Sequence, residues 1–271
     1  MGVLNLTPDS FHAGARHPDP DQAVARARDM LDEGAHLIDV GAESTRPGAE
    51  PLSAQAEWAR LAPVLEALKG LPVPLSVDTR QPEVMRRALA LGVDMINDVS
   101  GFTHPDALAA VADAAAGLCV MHMAGEPATM QRAPAYQDVV GQVGAFLRAQ
   151  AARLMAAGVA PERLLLDPGI GFGKRTEDNL ALMRHLPELA PPCAAVPGGR
   201  LPLLVGLSRK SFIGALTGRE RTADRLAGSL AGAIAAAAAG AKILRVHDVA
   251  ATVDALAVWR ALRPAAPVAT H

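Results

Sequence analysis

The chain has 271 residues, of which half are hydrophobic and only 3% aromatic, so we expect a large aliphatic core rather than general disorder. Its 26 basic and 28 acidic residues give a formal charge of −2, and no long run of one sign occurs. This balance argues against nucleic-acid or anionic-membrane binding, which normally leaves a basic patch or tail.

Short apolar runs rich in β-branched residues alternate with longer helical patterns along the chain. In chain order, the predicted strands are Gly2–Leu6, Leu37–Gly41, Val73–Val77, Asp94–Asp98, Leu118–Met121, Leu164–Asp167, Leu203–Gly206 and Lys242–Val246. The predicted helices are Asp21–Glu33, Ser53–Lys69, Pro82–Leu91, Asp106–Ala115, Asp138–Ala157, Glu177–Leu186, Arg225–Gly240 and Ala250–Leu262. Proline in the first turns and glycine after the last turns of the predicted helices support these boundaries.

Eight strand-then-helix units in a chain of this length match a (β/α)₈ TIM barrel, which we predict as a single domain over residues 1–271. The strands are nearly continuous apolar runs, as expected when both faces of a parallel sheet are covered. A doubly wound open sheet is the main alternative. The uncharged stretch Leu226–Ala241 has 16 residues, which is short for a membrane span, and we interpret it as a helix packed on the barrel.

Two further features bear on location. Cys119 and Cys193 are the only cysteines, too few for a disulfide framework, which favours a reducing, cytoplasmic setting. The first residues lack the basic region and long apolar stretch that are typical of a signal peptide.

Polar residues stand at or just after the end of nearly every predicted strand. They are Asn5, Asp39, Asp78, Asn97, Asp98, His122, Asp167, Ser208, Lys210, Arg245 and His247. Any one of them could be a local cap or turn residue. The whole set, however, coincides with the carboxyl ends of the strands, where TIM barrels hold their active sites. Carboxylates and amides suit a flat heterocycle with several N–H donors, whereas Lys, Arg and His suit anions.

Two segments resemble known sequence motifs but do not match them. Gly169–Lys174 (GIGFGK) is too short between its outer glycines for a phosphate loop, and it lacks the third glycine of a dinucleotide loop. Gly206–Lys210 begins like a nucleophile elbow but ends in lysine. No cluster of His, Cys, Asp or Glu has zinc spacing.

Eight segments together resemble the dihydropteroate synthase family. They are NLTPDSF (Asn5–Phe11), GAESTRPG (Gly41–Gly48), SVDT (Ser76–Thr79), INDVSG (Ile96–Gly101), MHMAGEPATMQ (Met121–Gln131), LDPGIGFGK (Leu166–Lys174), GLSRKSF (Gly206–Phe212) and RVHDV (Arg245–Val249). They occur in the family order with one block per predicted strand, so the set is far more specific than any single member.

The resemblance implies a reaction and an assembly. A pterin pyrophosphate (6-hydroxymethyl-7,8-dihydropterin pyrophosphate) would condense with 4-aminobenzoate to give 7,8-dihydropteroate and pyrophosphate, with Mg²⁺ as cofactor and a homodimer as the assembly. We favour a dissociative step in which pyrophosphate leaves before the neutral arylamine attacks.

The resemblance also implies site residues. Pterin would be bound by Asp78, Asn97, Met121, Asp167, Phe172 and Lys210. Pyrophosphate would be bound by Asn5, Thr45, Arg245 and His247, with Asn5 also a metal ligand. Aminobenzoate would be bound by Phe11, Thr45, Arg46, Pro47, Lys210 and Ser211. The groups expected to act in catalysis are Lys210, Arg245, His247 and Asp78.

One departure from the family pattern leaves alternatives open. Ala13 stands where the family usually has an aspartate in the first loop, and His12 or Asp9 could substitute in part. The alternatives are a pterin-binding methyltransferase domain, a catalytically silent pterin-binding paralogue, and an aldolase that forms a Schiff base through Lys210.

Overall fold

The computed structural model describes residues 1–6, 19–43, 51–125, 130 and 135–263. In these ranges parallel strands alternate with helices along the chain. The strands are β1 (Gly2–Asn5), β2 (Ile38–Gly41), β3 (Leu75–Asp78), β4 (Met95–Asp98), β5 (Gly117–Met121), β6 (Leu164–Asp167), β7 (Leu204–Val205) and β8 (Ile243–Leu244).

The eight strands form a ring. Strands β1 to β6 make one parallel sheet in chain order, and β7 pairs in parallel with β8. Single parallel bridges join the two sheets on both sides, between Leu166 and Leu203 and between Gly2 and Val246. Beside the second bridge, the Val3 N–H donates to the Val246 carbonyl at 3.1 Å. The predicted TIM barrel is therefore confirmed, and the open sheet is wrong because the last strand lies next to the first.

Helices surround the strands. They are α1 (Pro20–Asp32), α2 (Ala54–Leu68), α3 (Pro82–Leu91), α4 (Ala107–Val111), α5 (Val139–Ala156), α6 (Thr176–Arg184), α7 (Ser211–Thr217), α8 (Leu226–Ala238) and α9 (Val249–Leu262). Their ends follow local chemistry: the Ser53 hydroxyl accepts from the Ala56 N–H at 3.2 Å and caps α2. Gly92 ends α3 with a φ of 88°, a conformation that glycine adopts without steric cost.

The core has two parts that leave one end of the barrel for polar groups. A large apolar shell fills the space between strands and helices. A smaller cluster of Met95, Cys119, Leu165 and Leu204 fills the barrel interior, with Ile243 packed against it. Met95 and Leu204 begin their strands, so this cluster closes the amino-terminal end of the barrel. Ionisable side chains inside the barrel therefore face the carboxyl ends of the strands.

Three differences between the predicted and the observed elements have identifiable reasons. Strand β3 begins at Leu75 rather than Val73, because Pro74 has no N–H to donate to the sheet. Helix α4 ends at Val111 rather than Ala115, because the Arg163 guanidinium bonds the carbonyls of Val111, Ala112 and Ala116. Helix α7 was not predicted, since its seven residues lie within a segment interpreted as a loop. None of the helices in the described ranges is long and apolar enough to cross a membrane.

Candidate active site

An ion-pair network crosses the barrel at the carboxyl ends of four strands. Arg245, just after β8, donates from Nε to Asp39 Oδ2 at 2.6 Å and from Nη2 to Asp78 Oδ2 at 2.8 Å. Asn97 of β4 donates from Nδ2 to the same Asp39 oxygen at 3.3 Å. The structure therefore brings together three of the predicted site residues, Asp78, Asn97 and Arg245, and Asp39 joins them.

Asp39 is the centre of this network, and it lies deeper than the sequence suggested. It is the second residue of β2 rather than its end, and it is fully buried. A buried carboxylate is stable only when donors satisfy it, and here both donors come from functional candidates. Its second oxygen, Oδ1, and the Asn97 Oδ1 are buried acceptors without a hydrogen-bond partner among the described residues.

Burial and ion pairing set the charges of this network. Burial raises the pKa of Asp78 to about 7, against the opposing effect of Arg245 and with a further contribution from Asp39. Burial alone would lower the pKa of Arg245, but Asp39 and Asp78 outweigh it and raise that pKa above its usual range. The site therefore holds a fixed guanidinium cation beside a carboxyl group that exchanges its proton near neutral pH.

The loop after β6 is pressed against the end of β5. The Asp167 Oδ1 accepts the Gly169 N–H at 2.7 Å, within the loop itself. A Cβ on Gly169 would lie 1.9 Å from the His122 carbonyl oxygen, and one on Gly173 would lie 2.6 Å from the Ala124 carbonyl oxygen. Both glycines also have positive φ, so only glycine fits this close approach.

Lys174 fastens the same loop from inside. Its ammonium donates to the carbonyls of His122, Gly169 and Phe172 at 3.2, 2.9 and 3.0 Å, and it lies 3.0 Å from the His122 Nδ1. Burial lowers the pKa of Lys174 to about 7, and burial together with Lys174 lowers the pKa of His122 to about 3. His122 is therefore a neutral partner of Lys174, and Lys174 serves the loop rather than a phosphate.

Phe172 at the tip of this loop faces Lys210. The Lys210 ammonium lies 3.6 Å from the centre of the Phe172 ring, a cation–π contact. Burial and the nearby Arg245 lower the pKa of Lys210 to about 7, although Asp167 opposes them. Met121 pairs with Asp167 in the strand register and is buried. Four of the predicted pterin residues thus line one side of the barrel mouth.

The remaining predicted residues lie near the seam between β8 and β1 or outside the described ranges. Asn5 ends β1 opposite Gly41. His247 contacts the Ser208 hydroxyl through Nδ1 at 3.1 Å, and Ser211 begins α7. Phe11, Thr45, Arg46 and Pro47, as well as the departure at Ala13, lie outside the described residues.

A second network, which was not predicted from the sequence, lies beside the site. Arg80 forms a bidentate ion pair with Glu43, at 3.0 and 3.1 Å, and the Leu52 N–H donates to Glu43 at 3.2 Å. Glu57 is buried in α2, and burial raises its pKa to about 8, although Thr79 and Arg80 oppose the shift. A glutamate in an amphipathic helix is normally solvent-facing, so only its spacing with the buried Leu61 marks it.

No group of three or more His, Cys, Asp or Glu in the described ranges could hold a metal ion by itself.

Comparisons with known proteins agree with this geometry. A family described as "Pterin binding enzyme" matches residues 1–247. The dihydropteroate synthase of Neisseria meningitidis serogroup B is 52% identical, over 97% of this chain and 92% of that protein. A dihydropteroate synthase structure from Burkholderia cenocepacia, complexed with 7,8-dihydropteroate, is 52% identical with a TM-score of 0.87, and the match covers 96% and 90% of the two chains. One from Xanthomonas albilineans with 4-aminobenzoic acid is 49% identical with a TM-score of 0.87, covering 96% and 91%.

Proposed function

This chain belongs to the pterin-binding enzyme family, and on that premise we propose that it condenses 6-hydroxymethyl-7,8-dihydropterin pyrophosphate with 4-aminobenzoate, releasing 7,8-dihydropteroate and pyrophosphate. The observation that carries the proposal is the pair of buried acceptors, Asp39 Oδ1 and Asn97 Oδ1, which have no partner among the described residues. Buried acceptors are normally satisfied, and the aminopyrimidinone edge of a pterin offers N–H donors in one plane. Asp78 lies in the same network and adds a third acceptor.

The pterin would be held between two kinds of contact. Asp78, Asn97 and Asp167 would accept hydrogen bonds from its ring edge, while Met121 and Phe172 would pack against its faces. Lys210, above the Phe172 ring, would donate to the carbonyl side of the heterocycle. The Lys174 contacts support this arrangement because they fix the backbone at Gly169 and at Phe172 itself.

Pyrophosphate would bind where β8 meets β1. Arg245 donates two of its five guanidinium N–H groups to Asp39 and Asp78, so three remain for an anion. His247, two residues further, would supply another donor, and Thr45 would complete the set. Donors that already point at the leaving group stabilise the negative charge that develops as the C–O bond breaks. We infer a dissociative reaction in which the electron-rich dihydropterin carries the positive charge and the neutral arylamine then attacks its exocyclic carbon.

Aminobenzoate would bind at the mouth of the barrel, beside the pterin. Lys210 and Ser211 lie at the junction of the loop after β7 with α7, and Phe11, Thr45, Arg46 and Pro47 would contribute from the first two loops. The Lys210 ammonium is a suitable partner for the carboxylate of this substrate.

We also propose that Mg²⁺ assists pyrophosphate departure. Asn5 offers a hard amide oxygen at the end of β1, and Mg²⁺ commonly keeps several waters and completes its shell with phosphate oxygens. The donor set in the described ranges fits such a shared site and not a closed protein cage. When bound, the ion would neutralise charge on the leaving pyrophosphate.

A homodimer and a cytoplasmic location are part of the proposal. Helix α8 has no charged residue, yet only Ser229, Ala233 and Ala236 of it are buried. On the neighbouring helix α9, Val258 is 60% and Leu262 79% exposed. A helix that is apolar all round normally lies in a core or an interface, which supports a second copy of the chain as its cover. Cys119 and Cys193 are free thiols, which supports a reducing compartment.

The function is tested by following dihydropteroate and pyrophosphate with the pterin pyrophosphate and Mg²⁺, with and without 4-aminobenzoate. We expect product in the wild type and a loss of at least about 100-fold in kcat/KM for Asp78→Asn and Arg245→Ala, which is about 2.7 kcal/mol of transition-state stabilisation. Exposed Asp113→Asn and Arg184→Ala are the matched controls and should retain activity. Pterin binding without product, under conditions in which a dihydropteroate synthase works, would favour the silent paralogue and contradict the proposal.

The dimer is tested separately by light scattering after gel filtration. Val258→Asp should shift the mass from two chains to one, whereas Met155→Asp, on α5 and also partly exposed, should not. A monomeric wild type at micromolar concentration would contradict the dimer.

A further inference from the structure

Two contacts join the loop after β7 to the loop after β8. The Ser208 hydroxyl lies 3.1 Å from the His247 Nδ1 and accepts the His247 backbone N–H at 3.3 Å. One residue along each loop, Arg209 donates from Nε to Asp248 Oδ2 at 2.9 Å, and Nη2 donates to the other oxygen. These contacts hold the His247 ring in one orientation against Ser208.

Counting protons at Ser208 decides which His247 nitrogen carries hydrogen. A serine hydroxyl has one proton and two lone pairs. Its oxygen already accepts the His247 N–H, and Ser208 is 6% exposed with no other hydrogen-bond acceptor for its proton in the described ranges. If Nδ1 carried the proton, the hydroxyl would accept twice and its own buried proton would have no partner. Buried donors are rarely left unpaired.

We propose that Ser208 is a positioning residue that donates its hydroxyl proton to His247 Nδ1 and thereby fixes the tautomer with hydrogen on Nε2. This inference rests on the proposed function, in which His247 faces the pyrophosphate. Nε2 makes no hydrogen bond to any described residue, so its N–H is available to a ligand. In the opposite tautomer Nε2 would present a lone pair to phosphate oxygens, and attraction would become repulsion.

The tautomer matters because the ring is neutral. Burial, then the positive charges of Arg245 and Arg209, lower the pKa of His247 to about 4. A protonated imidazole would donate from both nitrogens without help, but a neutral one has a single N–H whose position must be chosen. The positive charge of the site comes from Arg245, and His247 contributes a directed hydrogen bond.

The backbone around Ser208 is built to keep its hydroxyl in place. Arg209 has a φ of 61°, uncommon for a residue with a side chain, and its N–H donates to the Ser229 hydroxyl at 2.8 Å. The Arg209 carbonyl accepts from Arg225 Nη1 at 3.0 Å. Ser229 and Arg225 belong to the start of α8 and the turn before it, so the barrel scaffold, rather than a free loop, orients Ser208.

The decisive measurement is long-range ¹H–¹⁵N correlation NMR of the histidine rings at neutral pH. The full-length protein is used without substrate, and His247→Gln assigns the signal. We expect a pyridine-type Nδ1 and a pyrrole-type Nε2 in the wild type. Ser208→Ala should move the ring toward the other tautomer, and Ser208→Thr, which keeps the hydroxyl, should restore the wild-type pattern.

Binding of inorganic pyrophosphate, measured by calorimetry, provides the functional readout. Ser208→Ala should bind pyrophosphate more weakly by the same factor by which the spectra show the fraction of the Nε2–H tautomer to fall. Binding of a pterin that lacks the pyrophosphate should be unchanged, which separates this effect from general damage. The inference would be overturned by a pyrrole-type Nδ1 in the wild type, or by an unchanged tautomer in the Ser208→Ala variant. Neither spectrum depends on turnover, so a failure of the condensation assay remains distinguishable.

Discussion

Asp39→Asn tests whether the buried aspartate holds Arg245 in its working position. The substitution keeps the size of the side chain and removes its charge, so Arg245 loses its 2.6 Å partner and keeps only Asp78. Breaking a buried ion pair typically costs about 3–5 kcal/mol. Since Asp78 remains and the Arg245 side chain is 18% exposed, we expect a loss of unfolding free energy at or just below the lower end of that range, about 2–3 kcal/mol.

Activity should fall more than folding stability alone explains. With one anchor, the guanidinium can leave the orientation that directs its remaining N–H groups toward the proposed pyrophosphate site. A loss of about 10- to 100-fold in kcat/KM corresponds to about 1.4–2.7 kcal/mol. Because Asp39 Oδ1 is also one of the acceptors proposed for the pterin edge, KM for the pterin pyrophosphate should rise, whereas KM for 4-aminobenzoate should change little.

The assay is a double-mutant cycle of Asp39→Asn with Arg245→Met, read by urea unfolding and by steady-state kinetics. We expect a coupling energy of about 1–3 kcal/mol, as for residues in direct contact. Asp94→Asn is the matched control: its carboxylate accepts the Leu75 N–H at 2.8 Å at the opposite end of the barrel. That variant should lose stability but keep kcat/KM. Additive effects of Asp39→Asn and Arg245→Met would refute the reasoning.

Three further predictions follow from the buried ionisable groups. Pterin binding should expel the proton from Asp78, whose pKa is raised to about 7; affinity should therefore fall about tenfold per pH unit below 7 in calorimetry, and a flat profile would contradict this. Glu57 has a pKa raised to about 8, so wild-type stability should decline as pH rises from about 4.5 to 8. In urea unfolding, Glu57→Gln should have a free energy of unfolding about 2 kcal/mol higher than the wild type at pH 7, and this difference should vanish near pH 4. An equal difference at both pH values would count against the burial argument. Lys174→Met should lower the free energy of unfolding by about 3 kcal/mol and weaken pterin binding, because three carbonyls lose their donor. The control Lys69→Met, at an exposed lysine, should change neither quantity.

Much of the fold was predictable because hydrophobic periodicity and cap residues are local signals. The bounds of α3 are as predicted, and Pro82 and Gly92 mark its two ends. Helix α4 was predicted too long because its end is set by Arg163, which lies some fifty residues away in sequence. The organisation of residues 1–271 as a single domain stays a prediction.

The sequence predicts which polar residues lie at the strand ends, but not which of them point into the interior of the barrel. Residues at strand ends, such as Asp78 and Asp167, stand out from the sequence because a polar group follows an apolar run. Asp39 looks the same in sequence, yet it lies in the interior of the barrel, and only its contact with Arg245 reveals this. The roles assigned to Asn5, Thr45, Arg46, Pro47 and Phe11 stay predictions.

The seam between the first and last strands has a consequence for folding. Arg245 follows β8, whereas its partners Asp39 and Asp78 lie on β2 and β3, nearly the whole chain away. The guanidinium can neutralise these buried carboxylates only after the carboxyl-terminal β/α unit has docked against the amino-terminal strands. A nascent chain that lacks its last unit therefore carries two uncompensated acids inside an incomplete ring. Arg245 thus also ties the last β/α unit to β2 and β3, and completion of the candidate active site coincides with completion of the fold.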